Sequence, residues 1–133
     1  QLDNLSYLKS FQQMNRVIIN PTFMVVFFGP LFLHIVNVFL SWIYSVNTLG
    51  ILALSASLYI VGVIGVTIFG HVPLNERLDQ ADLEKISIEE LCLLRDHFES
   101  RWNRLHRVRT GTGIFSFLLL LICIVLNSKN VHL

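Results

Sequence analysis

The chain has 133 residues, the size of one domain. It is 53% apolar and only 14% charged, where soluble domains carry about a quarter charged residues. An ordinary soluble fold is excluded, and a net charge of +1 gives no reason to expect nucleic acid as a partner.

The charges are unevenly placed. Val17 to Asn75 is a run of 59 residues without Asp, Glu, Lys or Arg, and Thr110 to Ser128 is a second run of 19. The stretch between them, Glu76 to Arg109, holds 15 of the 19 charges. A hydrocarbon core about 30 Å thick needs roughly 20 apolar residues of helix. The first run is therefore long enough for two crossings and the second for one. The expected fold is an all-α transmembrane helical bundle, residues 1–133 forming a single membrane domain with the lipid bilayer as its first partner.

Residues 1–19 contain an amphipathic helix. Leu5, Leu8, Phe11, Met14 and Ile18 recur at steps of three or four, and Asp3 or Asn4 is placed to cap it. This stripe predicts a helix lying in the membrane interface. Asn20-Pro21 then turns the chain into a first span over 21–44, since proline fits a first helical turn. Trp42 and Tyr44 suit the headgroup layer at its far end. A second span is predicted over 51–69, closed by Gly70 and Pro73. The segment 71–109 is polar, with a helix from about residue 87, where Ser87 and Glu90 form a capping-box pattern. That helix is expected to run into the third span, 110–127. The basic residues concentrate before the first span and between the second and third, so the positive-inside rule places segment 71–109 in the cytoplasm of a multi-pass cell-membrane protein.

Each span carries one polar or small-residue stripe, as helices packed around a common interior do. These are His34, Asn37, Ser41 and Ser45; then Ser55, Tyr59 and Gly62; then Thr112, Ser116, Cys123 and Asn127. His34 lies near mid-span, the costliest depth for a titratable group. Together with Asn37 it either lines a pocket or proton path, or it specifies packing as a neutral side chain. A second set gathers at the charged mouth. His71 and Asn75 are one turn apart, and Trp102, His106 and Arg109 share a face, with Asn103 and Arg107 adjacent. Histidine there suits a base, and arginine and asparagine suit an oxyanion. The ordinary alternative is arginines snorkelling to phosphates beside an anchoring tryptophan. Cys92 and Cys123 are expected in different compartments, and no metal, haem or phosphate-loop spacing occurs.

Three stretches resemble one family. Phe11-Gln12-Gln13-Met14-Asn15-Arg16, Asn20-Pro21-Thr22-Phe23 and Phe27-Phe28-Gly29 look like the early part of anthrone oxygenase-like small membrane proteins. His71-Val72-Pro73-Leu74-Asn75 resembles their Asn-x-Pro-x-Asn pattern, with His71 where the family often has asparagine. Arg101 to Thr110 resembles their Trp-Asn-x-x-His/Arg-x-x-Arg-Thr stretch. The resemblance implies a four-helix bundle whose first helix would lie upstream of Gln1. It also implies dioxygen-dependent oxidation of a flat, apolar phenolic or quinone-like substrate, without a cofactor or metal. On that reading His106 is the base, and Arg109, Asn103 and Asn75 hold the oxyanion. Trp102 stacks on the ring, and Asn15, Arg16 and Asn20 close the pocket from the first helix, while His34 and Asn37 line it deeper down. The competing expectation is a non-catalytic accessory subunit whose partners are other membrane subunits. A transporter is the weaker third, since no span carries a charge and no inverted repeat is visible.

Overall fold

The computed structural model describes residues 3–130. Every regular element among them is helical: α1 (Asn4–Ile18), α2 (Pro21–Ile43), α3 (Leu49–Asp79) and α4 (Ile88–Asn130). The last three are long and apolar enough to cross a membrane.

Local chemistry sets the helix ends. Asp3 caps α1 by accepting from the Ser6 amide at 2.8 Å and the Ser6 hydroxyl at 2.8 Å. These bonds, the amide first, hold its carboxyl below the usual carboxylate range. Asn20 caps α2 through the Phe23 amide, and Pro21 follows in the first turn. At its far end Val46 N–H reaches back to Ser41 O and Ser45 N–H to Trp42 O, with Ser45 at φ 51°. This is a Schellman ending with serine in the left-handed position where glycine is usual. The capping box of α4 is reciprocal: the Glu90 amide donates to Ser87 Oγ, and the Ser87 amide donates to Glu90 Oε2. Ser87→Ala is expected to lower the unfolding free energy by about 1 kcal/mol, read as a shift in thermal midpoint in detergent. Ser87→Asn should restore it.

The sequence reading closes the second span at Gly70 and Pro73, but α3 runs on to Asp79. From Leu58 to Gly65 and from Thr67 to His71 it is wound as a π-helix, so that Val66 N–H reaches Val61 O and Val72 N–H reaches Thr67 O. Pro73 then falls in the first turn of the α-helical piece Val72–Asp79. A missing N–H costs least there.

Two packing regimes meet along α3 and α4. Within the spans, side chains of α2 and of the second half of α4 face outward (Val25 is 72% exposed, Ile124 64%), as lipid-facing surfaces do. There α3 and α4 are joined through the small and polar stripes. Ser55 Oγ donates to Ser116 O at 2.8 Å, and Ser116 Oγ donates to Ser55 O at 2.9 Å. A Cβ on Gly62 would overlap the Thr112 side chain, so the backbones approach closely. Outside the spans lies a small apolar core of Leu8, Leu74, Leu78, Leu83, Leu91 and Phe98. The stripe of α1 supplies part of it: Leu5, Leu8 and Phe11 pack against α3 and α4, while Met14 and Ile18 remain exposed. Gln12 Nε2 fastens α1 to the carbonyls of Leu78 and Ala81, and Arg95 Nη1 donates to Asn4 Oδ1 and lies over the Tyr7 ring.

Candidate active site

The last π-helical turn of α3 ends at His71, beside Gly70, where a Cβ would come within 2.9 Å of Leu105 on α4. The close approach sets His71 edge-on against Trp102, with ring centroids 5.3 Å apart at 85°. Trp102 in turn lies parallel to His106, at 5.0 Å and 15°, and meets the edge of Phe11 from α1 at 5.4 Å. One turn further along α4, Arg109 Nη2 lies 3.2 Å from His106 Nδ1. A guanidinium only donates, so Nδ1 must accept and the ring hydrogen must sit on Nε2. His106 therefore presents an N–H to whatever faces it, and its lone pair is committed to Arg109.

His71 differs. It is 3% exposed, and within the described residues its ring nitrogens find no well-formed hydrogen bond, the Val66 carbonyl being the one backbone acceptor in reach. Two further buried polar atoms share that condition, Asn75 Oδ1 and Asn15 Nδ2. Asn75 lies one turn beyond His71 on α3. Asn15 sits between Gln12 and Arg16, which bond residues 78–81 and Asp79 of the same chain region, so it faces α3 as well. Buried polar groups are nearly always paired, since an unmade bond costs about 1–3 kcal/mol. His71 and Asn75, one turn apart on α3, are where a polar ligand would find partners already waiting.

Arg109 has a second environment. It lies on the wall of a groove of about 560 Å³ between α2, α3 and α4, open along one side. Aromatic rings dominate that wall, with Phe23 and Phe27 from α2, Tyr59 from α3 and Phe117 from α4. Tyr59 OH donates to Phe27 O at 3.0 Å and so ties α2 to α3 beside the groove. Sites for small ligands run to roughly 300–1,000 Å³ and are mostly apolar with a few placed polar groups. Among the described residues Arg109 is the one charged side chain on this wall.

The sequence profile described as Anthrone oxygenase matches residues 23–119, well over half of the chain. The chain belongs to the anthrone oxygenase family. No curated protein and no solved structure matches it. The matched region holds the His71–Asn75 and Trp102–Arg109 stretches and begins after Asn15, Arg16 and Asn20.

Within this family member the structure joins Trp102, His106 and Arg109 and adds His71, with Asn75 one turn from His71 and Asn15 on the face of α1 that meets α3. The other candidates lie elsewhere. Arg16 is exposed and paired with Asp79 at 2.7 Å. Asn20 is occupied as the cap of α2. Asn103 is on the exposed side of α4, turned from Trp102 by the helical step. Asn37 is exposed and donates to Leu33 O of its own helix at 2.8 Å. His34 is buried at mid-span, where Nε2 lies 3.3 Å from Ser116 Oγ and the ring lies 5.2 Å from that of Tyr59. It joins the Ser55–Ser116 contact and fastens α2 to the other two spans, so its geometry is that of packing. Among the described residues no three His, Cys, Asp or Glu side chains come together as metal ligands would. The signal for His71 was present in its one-turn spacing from Asn75. Its lack of a well-formed hydrogen bond is a tertiary property that spacing does not carry.

Proposed function

We propose that this membrane protein oxidises a flat, phenolic substrate dissolved in the bilayer, converting an activated CH2 group to a carbonyl with dioxygen. One observation carries the reading: Arg109, which bonds His106, stands on the wall of an aromatic-lined groove that is otherwise uncharged among the described residues. Such a groove accepts planar rings from lipid. A cation on its wall and an N–H beside that cation suit the oxygen that becomes negative when a neighbouring C–H is ionised. Family membership supports the same chemistry.

The substrate loses a proton from its CH2 group, and the electron pair spreads to the conjugated carbonyl oxygen as an enolate. Dioxygen adds at the carbon and, once protonated, gives a hydroperoxide. Loss of water leaves the quinone carbonyl. One atom of dioxygen enters the product and the other leaves as water. Arg109 and the Nε2–H of His106 hold the enolate oxygen, and Trp102 keeps the His106 ring in place. On the basic-residue asymmetry, this mouth of the bundle faces the cytoplasm.

The protein reconstituted in lipid nanodiscs should form quinone from an anthrone in step with dioxygen uptake, one for one, well above protein-free nanodiscs. Equal rates with and without protein would overturn the reading. Stable co-purification with other membrane subunits and no turnover would favour an accessory role instead.

A further inference from the structure

We propose that His71, rather than His106, is the group that takes the proton from the substrate; this rests on the oxygenase reading above. A proton acceptor needs a nitrogen lone pair that nothing else holds. His106 does not offer one on Nδ1, which accepts from Arg109, and its Nε2 carries the hydrogen. His71 has a free lone pair, because its one polar contact is with the Val66 carbonyl, toward which one ring nitrogen turns its hydrogen while the other nitrogen has no partner within the described residues. It belongs to the same assembly, since its ring meets one edge of Trp102 while His106 stacks on that ring's face. Asn75, one turn on, adds an unpaired acceptor, and Asn15 on α1 adds an unpaired donor. A phenolic hydroxyl can donate to the first and accept from the second.

A buried group must be reached. Helix α1 lies against Trp102 through Phe11, and its last turn is lightly held. Val17 and Ile19 are 67% and 73% exposed, and the Arg16–Asp79 pair that holds the turn down is itself exposed. Exposed pairs of this kind contribute at most about 1 kcal/mol. Lifting that turn admits a ring edge beside His71 while the rest of α1 stays seated on Leu8 and Phe11.

The electron balance closes. The substrate C–H bond breaks, its proton bonds the His71 lone pair, and the electron pair becomes the enolate held by Arg109 and His106. The imidazolium is balanced by the enolate it has created. Dioxygen takes the pair one electron at a time and forms the C–O bond. His71 returns its proton to the peroxide, and the hydroperoxide loses water to give the carbonyl. His71 ends as it began.

Proton abstraction can be followed without oxidation. In anaerobic D2O, the wild-type protein should exchange deuterium into the substrate CH2 group, read by proton NMR. His71→Gln should lose that exchange by about 100-fold or more, and added imidazole should partly restore it in His71→Ala. His106→Gln, which removes a donor to the enolate but not the base, should slow exchange by less than His71→Gln does, and added imidazole should not restore it. Exchange at the wild-type rate in His71→Gln, or loss confined to His106→Gln, would overturn the assignment. Nitrogen-15 NMR of the wild type does not depend on any variant folding. Titration with a non-oxidisable phenol should shift the His71 ring nitrogens, and no shift at His71 would count equally against it. Exchange without quinone formation would sink the oxygenase reading alone. Quinone formation with no His71 dependence would sink this assignment alone.

Discussion

Gly62→Val is expected to produce the largest loss of stability of any single substitution in the spans. A Cβ at position 62 would overlap the Thr112 side chain, and valine adds two methyl groups to it. Thr112 has little room to yield, because its hydroxyl donates to the carbonyls of Val108 and Arg109. The helices cannot easily part either, since Ser55 and Ser116 join them within two turns of the same contact. Overpacking usually costs about 1–3 kcal/mol, and this contact sits at the upper end because both backbones are held. Membrane helices gain no hydrophobic drive by associating, so a lost close approach is not made up elsewhere. Thermal or SDS unfolding of the purified protein should show a midpoint several degrees lower. Moving the small residue across the interface, as Gly62→Ala with Thr112→Gly, should recover most of it. A wild-type midpoint in Gly62→Val would mean that the helices do not approach as described.

Arg109→Ala should have the largest effect on turnover. Removing a donor aimed at a developing oxyanion typically lowers kcat by about 10²–10³-fold. The same substitution frees His106 Nδ1 and removes the charge from the groove wall. Arg109→Lys should recover only part, because an ammonium cannot bond His106 and the substrate oxygen with one planar fork. Initial rates of quinone formation in nanodiscs give the comparison. Rates within twofold of wild type in Arg109→Ala would remove Arg109 from the chemistry.

The spans were legible because lipid imposes a coarse rule, long runs without charge, that Val17 to Asn75 and Thr110 to Ser128 obey. The polar stripes were legible for a related reason. Helical periodicity placed Ser55 and Ser116 on inward faces, and the structure joins them. Periodicity does not name a partner, however. The stripe of α1 reads equally as a face for lipid headgroups or for protein, and only the positions of Leu78, Leu91 and Phe98 show part of it buried on protein. The π-helical stretch of α3 escaped because side-chain periodicity carries no signature of it; Gly62 and Gly70, within it, are where α3 comes close to α4. The same limit applied to the site. The spacing of Trp102, His106 and Arg109 put them on one face. Whether a histidine nitrogen is free depends on what stands opposite, and that separated His106 from His71. The groove takes its walls from three helices, so no single segment contains its pattern.

The small core outside the spans also constrains how the protein is made. Helix α1 emerges from the ribosome well before α3 and α4, yet Gln12 bonds a carbonyl 66 positions later and Asn4 accepts from a side chain 91 positions later. Two spans must insert, and much of α4 must be synthesised, before α1 has a surface to fold onto. Until then its stripe of Leu5, Leu8 and Phe11 has no protein partner, and the bilayer surface is the nearest apolar refuge. A helix made before its partners is thus among the last to dock, and a ribosome stalled before about residue 98 would leave α1 open to a protease.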